Sequence, residues 1–232
     1  MRTKKYTTEK RVANFNLSIS DLMAALCALL ALLTIVFTIQ LKETQEKLRE
    51  KTSGYTTMRE ELTRALHKEF DRNLAEWDAE ITDDGIIKFN KSEVLFAPEK
   101  ANLKPQYKNI LSDFFPRLII LLEQPKFKDE IEEIRIEGHT AVDQFMEKNE
   151  DYITGMELSQ QRTTNVMLFC LNVVPEDREW VQHHIAAIGY SNSRPIKDEN
   201  GLANKDASRR VEFKISTKAD AVLKSLAEEF KQ

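Results

Sequence analysis

The chain has 232 residues, 31% of them charged and 41% hydrophobic, with a formal net charge of −4. Six glycines, six prolines and two cysteines exclude a collagen-like chain, a low-complexity disordered chain and a disulfide scaffold. The apolar fraction also excludes a polytopic membrane protein, and the average describes a mildly acidic protein of one or two domains.

That average conceals an uneven chain. Residues 1–16 carry Arg2, Lys4, Lys5, Lys10 and Arg11 against Glu9, a net +4 that leaves −8 for the remaining 216 residues. From Leu22 to Ile39 (LMAALCALLALLTIVFTI) there is no charge, and Gln40 and Leu41 bring the stretch to 20 residues. A helix of that length spans about 30 Å, one hydrocarbon core. The expectation is a basic cytoplasmic tail (1–16), a transmembrane helix (17–41) and the bulk of the chain on the far side of the membrane. A cleavable signal peptide fits less well. The run exceeds an h-region of about 7–15 residues, and only LKETQEKLREK follows it.

Residues 42–82 read as a charged helical stalk. Between 42 and 80, 18 of 39 residues are charged. Leu41, Leu48, Tyr55 and Leu62 recur every seven residues, and Leu66, Phe70, Leu74 and Trp77 continue at helical spacing. One apolar residue per heptad is half a coiled-coil seam, so a solvated stalk and a loose dimeric coiled coil both remain open. Gly54 is expected to interrupt the helix.

From Asp83-Asp84-Gly85 the pattern changes. IIKF (86–89) reads as a strand, and VLF (94–96) follows it. Pro105 is placed for the first turn of a helix through YKNILSDFFPRLIILLE, in which Pro116 predicts a kink or break. EIEEIRIEG (130–138) alternates as a strand, Leu158 to Val173 reads as a helix, HIAAIGY (184–190) as a strand and RRVEFKI (209–215) as another. Alternating strands and helices over 83–217 predict an α/β layer with part of the sheet parallel. An amphipathic helix (218–232) closes the chain. The fold class is therefore α/β: a single N-terminal transmembrane helix, a helical or coiled-coil stalk, and an α/β sandwich domain.

Asp21 opens the apolar run. Beside Ser18 and Ser20 it fits a helix cap in the headgroup region. Because Leu17 and Ile19 precede it, it also fits an ionisable group inside the membrane, where such residues tend to carry function. The histidines offer no zinc spacing: His183 and His184 would point apart on a strand, His67 is far upstream, and His139 reads as a structural residue of a turn. No phosphate loop, nucleophile elbow or His-Glu-x-x-His is present, so neither covalent catalysis, a cofactor nor a metal is expected. The acidic outer part argues against direct nucleic-acid binding.

Asp21-Leu22-Met23-x-Ala25-Leu26, on one span after a basic tail, resembles the stator B subunits of the MotB type, with Ala24 where that family often has threonine. The resemblance implies that Asp21 carries a translocated ion. VLFAPEKANLKP, IEGHT (136–140), LSQQR (158–162), IGYSNSRP (188–195) and ASRRVEF (207–213) together resemble the OmpA-like peptidoglycan-binding domain over about residues 85–216. In that family an aspartate after Gly-His-Thr and the arginine of Leu-Ser-x-x-Arg clamp a zwitterionic residue of the peptide stem. Arg162 matches the arginine, with Leu158 and Ser159 at the motif's start. The aspartate position is Ala141, the nearest acid is Asp143, and Gly155 stands where asparagine is usual. Three arrangements follow: Asp143 supplies the carboxylate through a shifted loop, Arg162 binds a carboxylate alone, or wall binding is lost and the fold kept. Arg209 and Arg210 face opposite sides of a strand, and neither is assigned to ligand.

The Ala-Ser-Arg-Arg-Val-Glu strand and the lack of proline over 42–97 look most like the ZorB subunits of Zorya anti-phage defence systems. That resemblance implies a homodimer of this chain, threaded through a ring of a MotA/ZorA-like polytopic partner. It places the chain in the bacterial inner membrane with its outer domain periplasmic and bound to peptidoglycan. The alternatives are a flagellar-type stator subunit, a passive wall tether, and an energy-transducing plug of the ExbD/TolR kind.

Overall fold

A computed structural model describes residues 2–90, 95–142 and 147–220, and within its first helix the side chains of 22–46 and from 57 onward. That helix, α1 (Arg2–Trp77), runs through Gly54 without ending. The chain divides into two units, Met1–Gly54 and Tyr55–Gln232.

The first unit is the apolar part of α1. Leu22–Glu46 is long and apolar enough to cross a membrane, and among the described residues its side chains are exposed. Its threonines are satisfied locally: Thr34 Oγ1 donates to the Ala31 carbonyl (2.8 Å) and Thr38 Oγ1 to that of Thr34 (2.6 Å). Such back-bonding leaves no hydroxyl in need of water, as a lipid environment demands.

The second unit is built on a five-stranded sheet. Its strands are β1 (Ala79–Ile81), β2 (Ile86–Phe89), β3 (Ile131–His139), β4 (Ile185–Gly189) and β5 (Arg210–Thr217), in the order β1-β2-β5-β3-β4. Only β3–β4 is parallel, in register from Ile134↔Ile185 to Gly138↔Gly189. The other pairings are antiparallel. The β1–β2 turn closes at Gly85, whose φ of +72° a side chain would strain. After α1, the helices named among the described residues are α2 (Pro105–Leu122), α3 (Lys148–Val173), α4 (Arg178–His184) and the single turn α5 (Lys205–Ser208).

Aromatic rings converge at the centre. Phe114 of α2 lies 5.2 Å from Phe70, 5.9 Å from Trp77, 5.2 Å from Phe89 and 5.1 Å from Phe213, ring centroid to centroid. Leu62, Leu66, Phe70 and Trp77 are therefore core residues. Arg117 of α2 fastens them from outside: its guanidinium lies 5.0 Å over Phe70, and its Nε and Nη2 donate to the Glu69 carboxylate and carbonyl (both 2.8 Å). The stripe read as a stalk to residue 82 is thus a domain helix, and the compact unit begins at Tyr55 rather than at 83. From Leu62 to Trp77 the periodicity is that of burial inside the domain, while the side chains of Leu48 and Tyr55 lie outside the described residues.

Other expectations shift as well. α2 continues through Pro116, and α3 begins ten residues before Leu158. Phe96 forms one isolated bridge with Leu103 rather than a strand, and Val94 lies outside the described residues. His183 and His184 end helix α4, with each Nδ1 2.7 Å from the carbonyl four residues back. Residues 218–220 are helical, and the rest of the closing helix lies outside the described residues.

Leu66, fully buried, distinguishes a core helix from a stalk. Leu66→Ala is expected to cost the second unit about 2–5 kcal/mol, read as a lowered unfolding temperature by near-UV circular dichroism. A solvated stalk would leave that temperature within about a degree.

Candidate functional site

The site is set by how closely α3 lies on the parallel strands. A Cβ on Gly138 would come within 2.6 Å of Thr163 Cγ2 and 2.9 Å of the Ser159 carbonyl, and one on Gly189 within 2.5 Å of the Gln160 nitrogen. A Cβ on Gly155, in α3 itself, would meet Ser191 Oγ at 2.4 Å and Thr140 Oγ1 at 2.8 Å. Backbone therefore meets backbone along the seam, which only glycine permits. Polar bonds lock it. Ser159 Oγ accepts from the Ser191 amide (3.1 Å) and donates to the Met156 carbonyl (3.1 Å), while Gln160 Oε1 accepts from the Gly189 amide (2.8 Å).

Held this way, α3 forms one wall of a cleft of about 630 Å³. Asp151, Thr154, Gly155, Leu158 and Arg162 form a single helical stripe along it. Thr140 and Ala141 after β3, the segment 96–99, and Arg209 complete the walls. Arg162 is buried, its Nε donates to the Lys100 carbonyl (2.9 Å), and its guanidinium stacks 4.8 Å over Phe96. Asn165 Nδ2, one turn on, donates to the Ala101 carbonyl (2.9 Å), so α3 also holds the 97–101 segment in place. Burial, and secondly the Arg209 cation, push the Arg162 pKa down to about 10. It stays charged at neutral pH.

Of the residues singled out in the sequence, Leu158 and Arg162 line this cleft, and Ser159 is buried beneath it in the seam. Asp143 lies outside the described residues, as does the side chain of Asp21, whose backbone is part of α1. Among the lining residues that the sequence did not assign to a site are two charged ones near the motif. Arg209 ends α5 immediately before β5, and Asp151 sits in the first turn of α3. The sequence signals were there: Arg209 had to face away from the buried Arg210, and Asp151 continues the stripe of 155, 158 and 162.

On the other face of the sheet lies a charged network. Glu137 and Glu212 sit directly opposite each other on β3 and β5 and are both buried. Arg194 (Nη1 to Glu137 Oε2, 3.2 Å), Arg135 and Arg210 neutralise them. His139 Nε2 is 3.8 Å from Glu137 and 3.9 Å from Glu212, and the imidazole stacks on Tyr190, on which Arg194 lies in turn at 3.6 Å. The three ligand-type atoms fall within 4.8 Å of one another, the arrangement among the described residues that could hold a metal. Arg135 pairs with Glu133 as well as Glu137, so three guanidiniums face three carboxylates, and Arg194 and Arg210 already engage Glu137 and Glu212, which opposes a further divalent cation. Burial, then the cations of Arg210, Arg194 and Lys88, push the His139 pKa down to about 3.

No family model matches the chain. It is 36% identical over 217 residues to the Zorya protein ZorB of Escherichia coli, covering 91% of this chain and 92% of that protein. Among solved structures it is similar to a MotB-like protein from Desulfovibrio vulgaris, at 22% identity and TM-score 0.47 over 72% of this chain and 94% of that one. It is also similar to the cell wall anchor of the T6SS from Pseudomonas aeruginosa, at 18% identity and TM-score 0.44 over 69% of this chain and 99% of that one.

The His139 shift has a definite sign. An unfolded histidine takes up a proton near pH 6.5 that the fold refuses down to about 3, so stability falls as pH falls through that window and is unaffected above it. His139→Phe, which keeps an aromatic ring on Tyr190, is expected to flatten the acid slope by up to about 1.4 kcal/mol per pH unit. Denaturant unfolding at pH 7, 6, 5 and 4 measures it, and parallel slopes for the two proteins would refute the assignment.

Proposed function

The chain belongs to the ZorB family, and on that premise we propose that it is the membrane-anchored, peptidoglycan-binding B subunit of an ion-driven, MotA/MotB-like rotary motor serving a Zorya anti-phage defence system. The observation that carries this reading is the combination, in one chain, of an exposed apolar helix of membrane-spanning length and a domain whose cleft holds the Leu158–Arg162 motif.

The parts have complementary tasks. In the cleft, Arg162 presents a planar guanidinium, braced by Phe96 and the Lys100 carbonyl, to a carboxylate of the peptide stem. Bracing matters because a pre-positioned fork loses less freedom when it binds. The bound wall is the fixed point against which torque is generated. At the other end, Asp21 alternates between a protonated, neutral form that tolerates the membrane and a charged form that does not, and this alternation is the minimum needed to couple ion passage to movement. The basic residues before the span orient the N-terminus to the cytoplasm and the domain to the periplasm. Two copies of the chain pass through a ring of a MotA/ZorA-like membrane partner, and no covalent chemistry is assigned to the chain.

Asp21→Asn is expected to abolish protection against phage while the mutant still co-purifies with its membrane partner. Full protection in that mutant would remove the ion-carrying role and leave a passive tether. Arg162→Ala is expected to weaken co-sedimentation with purified peptidoglycan roughly tenfold or more, the cost of losing a charge-assisted pair. Undiminished sedimentation would remove the wall site from this cleft.

A further inference from the structure

Arg117 stands on α2 and uses every nitrogen of its guanidinium on neighbours. Nε and Nη2 donate to the Glu69 carboxylate and carbonyl (both 2.8 Å), Nη1 and Nη2 to Asn73 Oδ1 (both 3.2 Å), and Nη1 to Asp113 Oδ2 on its own helix (3.0 Å). The group lies 5.0 Å over Phe70 and 5.9 Å over Trp77. Glu69 and Asn73 are one turn apart on α1, so a single side chain holds two successive turns of another helix. A planar fork of fixed donors can do this, and a compact ammonium cannot.

The contacts between α1 and α2 come in reversed order along the two helices. Lys126, just beyond α2, pairs with Glu61 (2.8 Å), Arg117 pairs with Glu69 (2.8 Å), and Phe114 meets Trp77 (5.9 Å between ring centroids). The helices are therefore antiparallel. The second unit begins at Tyr55, so chain connectivity delivers any pull from the membrane side to this part of α1 first. A pull directed along α1 slides it past α2 and strains all of these contacts together, whereas peeling would break them one by one. Sliding also finds no second resting place. A slip of one turn, about 5.4 Å, would bring Asn73 to the place of Glu69 and Trp77 to that of Asn73. The carboxylate is then lost, and an indole N–H accepts no bond.

We propose that this seam, with Arg117 as its clasp, is a mechanical device that keeps α1 in register while the chain is under load between membrane and wall. This rests on the reading of the chain as the link between the two. Neither Arg117 nor any of its partners lines the cleft, so the clasp is separate from whatever the cleft binds.

The test pulls on single molecules of the full, detergent-solubilised chain. Cys27→Ala removes the exposed thiol, Cys170 is buried, and Glu157→Cys at an exposed position of α3 takes one handle. The second handle is fixed either to the N-terminus, so that load enters the second unit through α1, or to the C-terminus, so that it enters through β5. At equal force in the first geometry, Arg117→Ala is expected to unfold the second unit about tenfold faster than the parent, the loss of a charge-assisted bond. In the second geometry its rate is expected to stay within about twofold of the parent. Arg117→Lys, which keeps the charge without the fork, is expected to fall between in the first geometry. If Arg117→Ala fails to fold, Glu69→Gln, which removes one carboxylate and keeps the carbonyl bond, supplies the test with an expected acceleration of about threefold in the first geometry alone. Equal acceleration in both geometries would make Arg117 an ordinary stabilising residue and overturn the inference, as would no acceleration in the first. Without handles, Arg117→Ala is expected to co-sediment with peptidoglycan as the wild-type chain does, and a loss there would move its effect to the cleft and overturn the inference as well. Failure of the wild-type chain itself to sediment would remove the wall-binding reading, a result read apart from the force measurement because the handles stand in for the wall.

Discussion

The second unit depends on backbone contact between α3 and the parallel strands β3 and β4. Gly138 and Gly189 stand side by side on those strands, where any side chain would strike Thr163, Ser159 or the backbone of Gln160. With both faces stripped of Cβ atoms, the helix settles low enough for Ser159 and Gln160 to bond the end of β4 and the residue chain beyond it. One helix residue of that interval, Arg162, is thereby delivered to the cleft, and the next turn ties down the 97–101 segment that forms the opposite wall. The seam is thus the origin of the site as much as of the fold. A helix riding even an ångström or two higher would widen the cleft and separate Arg162 from Phe96.

The two faces of the sheet divide the remaining work. One carries the aromatic cluster around Phe114, which fixes α1 and α2 and supplies the bulk of the apolar burial. The other carries Glu137, Glu212 and the three arginines that neutralise them, covered by the residues after β4. A buried pair of like charges directly across two strands is costly unless it is paired and bonded. Here the compensation comes from Arg194, Arg210 and Arg135, and the neutral His139 fills the space between the carboxylates without adding to the positive charge. The cover over this network and the support behind the cleft come from the same loop, since residues 190–194 supply Tyr190 and Arg194 to one, while Ser191 and Asn192 bond the Tyr152 carbonyl and the Asp151 carboxylate of α3.

Much of this was legible in the sequence because short-range periodicity records burial. Strands β2 to β5 and helix α2 stand where alternation and helical spacing put them, and the parallel β3–β4 pair follows from the intervening helix. The apolar run of α1 was equally plain. The stripe from Leu62 to Trp77 was read with the right period and the wrong partner, since periodicity reports that a face is buried and not against what. The start of α3 was missed because KNEDYITG is polar and contains a glycine, whose presence is explained only by Thr140 and Ser191 pressing on it in three dimensions. Asp151 escaped for the same reason: its place in the cleft depends on a contact with Asn192, 41 residues away. Motif spacing located Leu158 and Arg162, and packing had to locate the residues around them.

The central claim is that this cleft is where the chain grips the wall. Hydrogen–deuterium exchange of the full chain, with and without soluble muropeptides, tests it most directly. The account predicts slowed exchange confined to the 96–101 segment, to Thr140 and Ala141, and to α3 from Asp151 to Arg162. Unchanged exchange there at muropeptide concentrations that bind the chain, or protection only on other surfaces, would contradict it.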